Sequence, residues 1–122
     1  MKFRLAETYL LLAEAYLRQN MPDKAADAVN EVRRRAKVAD VSDDEMTMDY
    51  LLDERIRELY GEESRRFTLV RTGKLIERVK KYNPEARDLI QDFHVLWPIP
   101  QAVRDANTGE FPQNPGYEGY EG

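Results

Sequence analysis

The chain has 122 residues, of which 42% are hydrophobic and 34% charged, and its formal net charge is -4. This balance is typical of a folded, largely helical protein, and the length suits one domain with a modest core. The absence of cysteine excludes disulfides, thiolate catalysis and cysteine-ligated zinc. The acidic balance gives no reason to expect nucleic acid as a partner, and no apolar run approaches the ~20 residues that cross a bilayer.

Two segments at the start of the chain predict an antiparallel helical hairpin over residues 3–37. Apolar residues cover most of the first helix, leaving only a narrow polar strip that consists of Arg4, Glu7, Glu14 and Arg18. Pro22 cannot continue that helix but suits the first turn of a second one, which is predicted to end near Lys37. The spacing resembles one tetratricopeptide repeat at Leu12, Ala13, Tyr16, Ala25, Val29 and Val32.

Further helices are predicted over residues 44–82. Ser42 and Glu45 have the spacing of a capping box in front of a third helix. The apolar face of that helix is predicted to bury Met48, Leu51, Leu52, Ile56, Leu59 and Tyr60. A fourth helix is expected from Arg65 to Tyr82, with Gly73 as a weak point or kink.

The remainder of the chain predicts a short helix and then an extended tail. Asn83 and Pro84 form a cap-plus-first-turn signal for a helix that runs to about Asp92. Residues 94–122 are rich in proline and glycine, so they cannot form one long helix, although residues 101–106 are compatible with a single helical turn. We interpret Trp97, which lies between Leu96 and Pro98, as a core residue rather than a ligand platform.

No residue pattern supports catalysis. A pair of carboxylates could hydrolyse a glycosidic bond, and the candidates are Asp53, Glu54, Glu58, Glu62 and Glu63. Arginines alternate with these acids at helical spacing, however, so we predict surface ion pairs of Asp53 with Arg57 and of Arg55 with Glu58. The sequence therefore predicts no catalytic residue, no metal site and no cofactor.

Two isolated features also have simple structural interpretations. The basic run Arg33 to Arg35 lies among acidic residues, which favours a solvated helix face over a phosphate site. His94 is the only histidine and has no neighbouring ligand set, so we interpret it as a packing residue.

Two segments carry a more specific signal. Residues 53–62 (DERIRELYGE) continue into residues 65–74 (RRFTLVRTGK), and residues 96–101 (LWPIPQ) are followed by residues 113–117 (QNPGY). Their order and spacing closely resemble the SusD/RagB family of nutrient-uptake lipoproteins. Two positions depart from that family's usual pattern, in which Asp stands at the position of Thr68 and Gly at the position of Glu63.

The resemblance implies an all-α fold with a tetratricopeptide-like hairpin, further helices and an extended tail over residues 94–122. It implies that residues 1–122 form the C-terminal part of a longer protein, which binds glycans or other nutrients without catalysis. The implied partner is a SusC-like TonB-dependent transporter, and the implied location is the cell surface at the outer membrane. Ligand-binding residues cannot be transferred to this chain, because the family's glycan contacts come mainly from other regions.

We hypothesise that charged residues of the motif clamp the tail to the helices. The proposed network consists of Glu54, Arg55, Glu58, Arg65, Arg71 and Trp97. The alternative function is a stand-alone helical interaction module that binds a peptide in the hairpin groove. Because one hairpin cannot cover a helix that is apolar nearly all round, we also predict that the isolated chain self-associates or exposes an apolar patch.

Overall fold

The computed structural model describes residues 4–120, and none of these residues forms a β-strand. Phe3, Glu121 and Gly122, which the predicted hairpin and tail include, lie outside this range. The α-helices are α1 (Leu5–Arg18), α2 (Pro22–Arg35), α3 (Met48–Glu58), α4 (Arg65–Arg71), α5 (Leu75–Tyr82) and α6 (Gln101–Asp105). The all-α prediction is confirmed. No described helix is both long and apolar enough to cross a bilayer.

The chain divides between Ser64 and Arg65 into two compact units. In the first unit, α1 and α2 form the predicted hairpin and α3 packs on it. The hairpin core contains Leu10, Ala13, Ala25, Val29 and Val32, and each of these side chains is at most 3% exposed. Small side chains allow the two helices to approach closely, and each buried Leu or Val contributes about 1.5–3 kcal/mol.

Both hairpin helices end in a residue with left-handed backbone geometry. After α1, Asn20 has φ 57, and the backbone N–H of Met21 donates to the carbonyl of Tyr16. After α2, Lys37 has φ 57, and the N–H of Val38 donates to the carbonyl of Arg33. This is the Schellman arrangement, for which glycine is the usual residue.

One position of the predicted polar strip on α1 is wrong. Glu14 is only 3% exposed, and it accepts a hydrogen bond from Arg18 at 3.0 Å. The exposed apolar residues of α1 are instead Leu5, Leu11 and Leu12. Because apolar residues surround this helix, the sequence alone does not define which face is covered.

The loop between α2 and α3 is fixed by a buried asparagine. Asn30 donates to the carbonyl of Val41 at 3.0 Å and accepts from the N–H of Val41 at 2.8 Å. The predicted capping box of Ser42 and Glu45 is present, but it caps a 3₁₀ helix at Asp43–Glu45 rather than α3. The cap of α3 is Thr47, whose hydroxyl accepts from the N–H of Tyr50.

The predicted buried face of α3 is correct at three positions and wrong at two. Leu51, Leu52 and Leu59 are buried, whereas Ile56 and Tyr60 are exposed. The inner face turns toward Arg55, which is 2% exposed. A buried ion pair of Arg55, described below, explains how a charged residue can occupy that position.

In the second unit, the predicted fourth helix is two helices, α4 and α5. Gly73 has φ 70 and ends α4, because Gly73 donates to the carbonyl of Val70 and Lys74 donates to that of Leu69. This arrangement is again a Schellman motif, and here glycine supplies the left-handed residue. Leu69 and Leu75 on either side of the break are buried.

The predicted helix after Pro84 is absent, and hydrogen-bonded turns take its place. Asn83 still acts as a cap, since its side-chain oxygen accepts from the N–H groups of Glu85 and Ala86. A 3₁₀ helix follows at Asp92–Val95. The predicted turn over residues 101–106 is confirmed as α6.

Candidate functional site

The carboxylate of Glu54 joins α2 to α3. Its Oε2 atom accepts from Nη1 of Arg33 at 2.8 Å and from Nε and Nη2 of Arg57 at 3.1 and 2.8 Å. Arg33 also donates to the carbonyl of Ala39 at 2.7 Å. Glu54 is 7% exposed and the Arg33 side chain 13%, so the charge-assisted bond between these two residues is largely shielded from bulk water, whereas Arg57 is 54% exposed.

Glu58 is the centre of a second cluster, one turn further along α3. It accepts from Nη2 of Arg35 at 2.6 and 2.8 Å and from Nη1 of Arg4 at 3.1 Å. Arg4 also binds Glu62 through Nε at 2.7 Å. Hydrogen bonds to Glu62 and Glu58 raise the pKa of Arg4 above its ordinary value. This cluster ties the start of α1 and the end of α2 to α3.

Arg55 and Glu63 form the most deeply buried ion pair that the structure shows in the first unit. Their side chains are 2% and 5% exposed, and Arg55 donates to Glu63 at 2.8 Å. Glu63 is the position at which the SusD/RagB pattern usually has Gly. In this chain its side chain therefore has a structural role, which is to neutralise Arg55.

One of the ion pairs predicted on α3 is wrong. Arg55 pairs with Glu63, so the predicted pair of Arg55 with Glu58 is wrong. Arg57 binds Glu54. Helical spacing predicts only pairs within one helix, and it misses Arg4, Arg35 and Glu63, which lie outside α3.

The basic run on α2 has acidic partners at all three positions. Arg33 binds Glu54, Arg35 binds Glu58, and Arg34 binds Asp40. The hydrogen bond to Asp40 is the main cause that raises the pKa of Arg34. Arg34 and Arg35 are exposed, as predicted for a solvated face, but the Arg33 side chain is only 13% exposed.

A cavity of about 480 Å³, the Tyr50 cavity, lies beside these clusters. It is lined by Arg33, Ala36, Val38, Tyr50, Glu54, Arg57 and Glu58. The guanidinium carbons of Arg33 and Arg57 are 5.8 and 5.7 Å from the centroid of the Tyr50 ring. The cavity therefore combines one aromatic ring, a small apolar wall and charged hydrogen-bonding groups.

In the second unit, the two tail segments of the recognised motif bind each other. The side-chain amide of Gln113 accepts from the N–H of Ile99 at 2.7 Å and donates to its carbonyl at 2.9 Å. Asn114 donates to the carbonyl of Trp97 at 2.7 Å, and the Tyr117 hydroxyl donates to that of Leu96 at 2.9 Å. We call this set of contacts the tail clasp.

The tail clasp depends on one glycine. Gly116 has φ 87, and a Cβ at that position would overlap the ring of Phe93. Phe93 in turn contacts the Tyr117 ring edge to face, with a centroid distance of 5.0 Å. His94 stacks on Phe93 at 4.1 Å, and its Nδ1 accepts from the N–H of Gln91 at 2.8 Å, which agrees with a packing role.

The core interpretation of Trp97 is wrong for this chain. Its side chain is 62% exposed. The guanidinium of Arg66 lies 4.1 Å from the ring centroid and also donates to the carbonyl of His94. The Trp97 ring thus packs against a cation, and the Trp97 backbone carbonyl takes part in the tail clasp.

The residues of the hypothesised clamp fall in both units. Glu54, Arg55 and Glu58 follow one another along α3, and the structure engages all three with arginine or glutamate partners in the first unit. Arg65, Arg71 and Trp97 belong to the second unit. The clamp between tail and helices stays a prediction.

Comparisons with known proteins define the family. The sequence model of the SusD family matches residues 1–117. The chain is 36% identical over 125 residues to the starch-binding protein SusD of Bacteroides thetaiotaomicron, with 95% of this chain and 21% of that protein covered. It is 35% identical over 109 residues to SusD-like protein P25 of Formosa agariphila, with 80% of this chain and 20% of that protein covered.

The chain therefore belongs to the SusD family, as its two motif segments predict. It spans about one-fifth of the length of the curated relatives that it matches. No solved structure matches it significantly.

Proposed function

We propose that this chain is a non-catalytic scaffold part of a longer surface lipoprotein, which binds glycans and delivers them to a SusC-like TonB-dependent transporter. The observation that carries the proposal is the family match over residues 1–117, together with a relative named as a starch-binding protein. The proposed location is the outer face of the outer membrane. Capture and delivery require reversible binding and no bond cleavage.

The ion-pair clusters support a scaffold role. Glu54 and Glu58 each bind two arginines from different segments of the first unit. Residues used in this way hold helices together, whereas a glycosidase needs two carboxylates placed on either side of the scissile bond. We therefore propose that the charged motif of α3 is structural.

We further propose that the network of Glu54, Arg55, Glu58, Arg65, Arg71 and Trp97 clamps the tail to the helices. The tail clasp supports a tail of defined conformation, since three side chains bind the backbone of residues 96–99. A double-mutant cycle between Glu58→Ala and Trp97→Ala tests the clamp. A coupling energy of about 0.5 kcal/mol or more is expected, and additive effects on the free energy of unfolding would reject it.

The proposed function is tested on the protein encoded by the complete reading frame that contains this chain. We expect that frame to contain a lipobox cysteine, and its product to migrate more slowly through a native gel that contains starch or another glycan than through a glycan-free gel. The product is also expected to co-purify with a TonB-dependent transporter. Unchanged migration over a panel of glycans, together with no transporter, would reject the proposal.

A second candidate function is a helical interaction module. A shallow groove of about 250 Å³ on the hairpin is lined by Tyr9, Leu12, Tyr16, Lys24, Asp27, Ala28 and Glu31. Leu5, Leu11 and Leu12 add exposed apolar surface on α1, which supports the proposed self-association of the isolated chain. Light scattering and the binding of an apolar dye test the self-association. A chain that stays monomeric at all concentrations and binds no dye would contradict it.

A further inference from the structure

The side chain of His94 holds the start of the tail through one hydrogen bond and two ring contacts. Its Nδ1 atom accepts from the backbone N–H of Gln91 at 2.8 Å, which closes the cap of the 3₁₀ helix at Asp92–Val95. Its ring stacks on Phe93 and meets the Tyr117 ring edge to face, with a centroid distance of 6.2 Å. His94 therefore contacts both the 3₁₀ helix and a residue of the tail clasp.

The backbone of His94 makes a further link, to α4. Its carbonyl accepts from the guanidinium of Arg66, and the same guanidinium lies over the Trp97 ring. The position of the Trp97 ring thus depends on where His94 is held. A change at the His94 side chain can reach the tail by both routes.

The hydrogen bond at Nδ1 requires a neutral ring. In neutral imidazole one nitrogen accepts and the other donates, whereas both nitrogens of the protonated ring are donors. Protonation would place an N–H group of His94 against the N–H of Gln91, so the cap would be lost. Histidine is the side chain that ordinarily changes charge between about pH 5 and 8.

The surroundings of His94 offer no ion pair to a charged ring. Arg66 and His94 line one groove of about 230 Å³, whose other walls are Ala86, Leu89 and Ile90. Within residues 4–120, neither Arg66 nor His94 forms an ion pair with a carboxylate. The elements around His94 also carry exposed acids and bases before and within the 3₁₀ helix, and α5 packs on that helix with one acid, three bases and a tyrosine: Glu85, Arg87, Asp88 and Asp92, then Glu77, Arg78, Lys80, Lys81 and Tyr82. Glu77 is already paired with Lys74, so a charge on the ring would add to that of Arg66.

We propose that His94 is a pH-sensitive latch of the tail. The neutral ring caps the 3₁₀ helix and packs on Phe93, and the tail clasp is closed. The protonated ring loses the bond to Gln91 and repels Arg66, so the contact of Phe93 with Tyr117 weakens and the clasp loosens. The latch holds at pH values above the range in which histidine titrates and opens as the pH falls through that range. It requires neither a glycan nor a transporter, and it therefore goes beyond the proposed function.

A pH titration of the ¹⁵N-labelled chain by two-dimensional NMR tests the latch. The chain has one histidine and no cysteine, and carboxylates titrate mainly below about pH 5, so His94 dominates the change in side-chain charge from about pH 7.5 to 5.5. We expect the amide signals of Gln91 and Ile99 and the indole signal of Trp97 to shift with one common midpoint. Relative to an unstructured peptide at the same pH, protection of the Ile99 amide from hydrogen exchange should fall about tenfold, as suits the loss of one hydrogen bond. Signals of Ile99 and Trp97 that do not change over this range would overturn the proposal.

Two variants separate the titration of His94 from its packing. His94→Asn keeps an oxygen acceptor but cannot gain a charge, so the pH step at Ile99 should disappear while the clasp stays closed. His94→Phe keeps a ring beside Phe93 but removes the acceptor, so protection of Ile99 should be low at every pH. A step in His94→Asn equal to that of the parent chain, or parent-like protection in His94→Phe at about pH 7.5, would reject the latch.

The matched control is Asp92→Asn, which removes the acid of the same 3₁₀ helix. This variant is expected to keep the step at Ile99 with its full amplitude. Loss of the step would assign the titration to Asp92 and reject the role of His94. Each variant is compared only after its cooperative melting transition has been recorded, so that a change in the tail is distinguished from a loss of folding.

Discussion

The buried pair of Arg55 and Glu63 gives the most demanding test of the first unit. Glu63→Gln removes the negative charge but keeps the size of the side chain, so it leaves the guanidinium of Arg55 buried at 2% exposure without a counter-charge. Breaking a buried pair in this way costs about 3–5 kcal/mol. For a domain of this size, that loss lowers the melting temperature by about 10–30 °C.

The assay is thermal and urea unfolding followed by circular dichroism at 222 nm. The matched control is Glu31→Gln, because Glu31 pairs with Arg34 on the surface, where both side chains are more than half exposed. Exposed pairs contribute little to stability because water and salt screen them, so this variant is expected to unfold close to the parent chain.

A double variant, Arg55→Met with Glu63→Leu, completes the test. It removes both charges and keeps apolar volume, so most of the lost stability should return. The reasoning fails if Glu63→Gln is no more destabilising than Glu31→Gln. It also fails if the double variant is less stable than the single one.

Three further predictions follow from local geometry. Lys37→Gly should stabilise the first unit by about 1 kcal/mol, because φ is 57 at Lys37 and glycine adopts that geometry without strain. Urea unfolding measures the effect, and a lower midpoint in the variant would contradict the prediction. Gln113→Ala should release the tail by removing both bonds to Ile99, which hydrogen exchange at the Ile99 amide would detect as faster exchange, whereas unchanged protection would refute it. Hydrogen bonds from Ser42 lower the pKa of Glu45. This contact therefore stabilises the fold at pH values above the ordinary glutamate pKa, and the stabilisation is lost as the pH falls through the lowered pKa. NMR titration should show a higher Glu45 pKa in Ser42→Ala, and an unchanged pKa would exclude the contact.

Local signals in the sequence account for the helical elements. Pro22 marks the start of α2, Ser42 and Glu45 form the capping box of the 3₁₀ helix at Asp43–Glu45, and Gly73 marks the break between α4 and α5. These signals act over three to five residues, so spacing alone identifies them. The sequence predicts a weak point or kink at Gly73, whereas the structure has a helix end there, because the left-handed residue closes a Schellman motif.

The partners and exposure of charged and aromatic residues could not be predicted in the same way. Arg55 binds Glu63 rather than Glu58, and Tyr60 and Trp97 are exposed although their neighbours are apolar. Each outcome depends on which side of a helix or tail meets the remainder of the chain. Tertiary packing decides which of these side chains are buried, whereas periodicity identifies only the residues that share one face of a helix.

The cluster around Glu58 has a consequence for the lifetime of the folded chain. The contact of Arg4 with Glu58 links positions 54 residues apart, so it forms only after the hairpin and α3 have come together. Contacts that are absent from the folding transition state influence unfolding more than folding. The arginines around Glu58 are therefore expected to slow unfolding more than they speed folding.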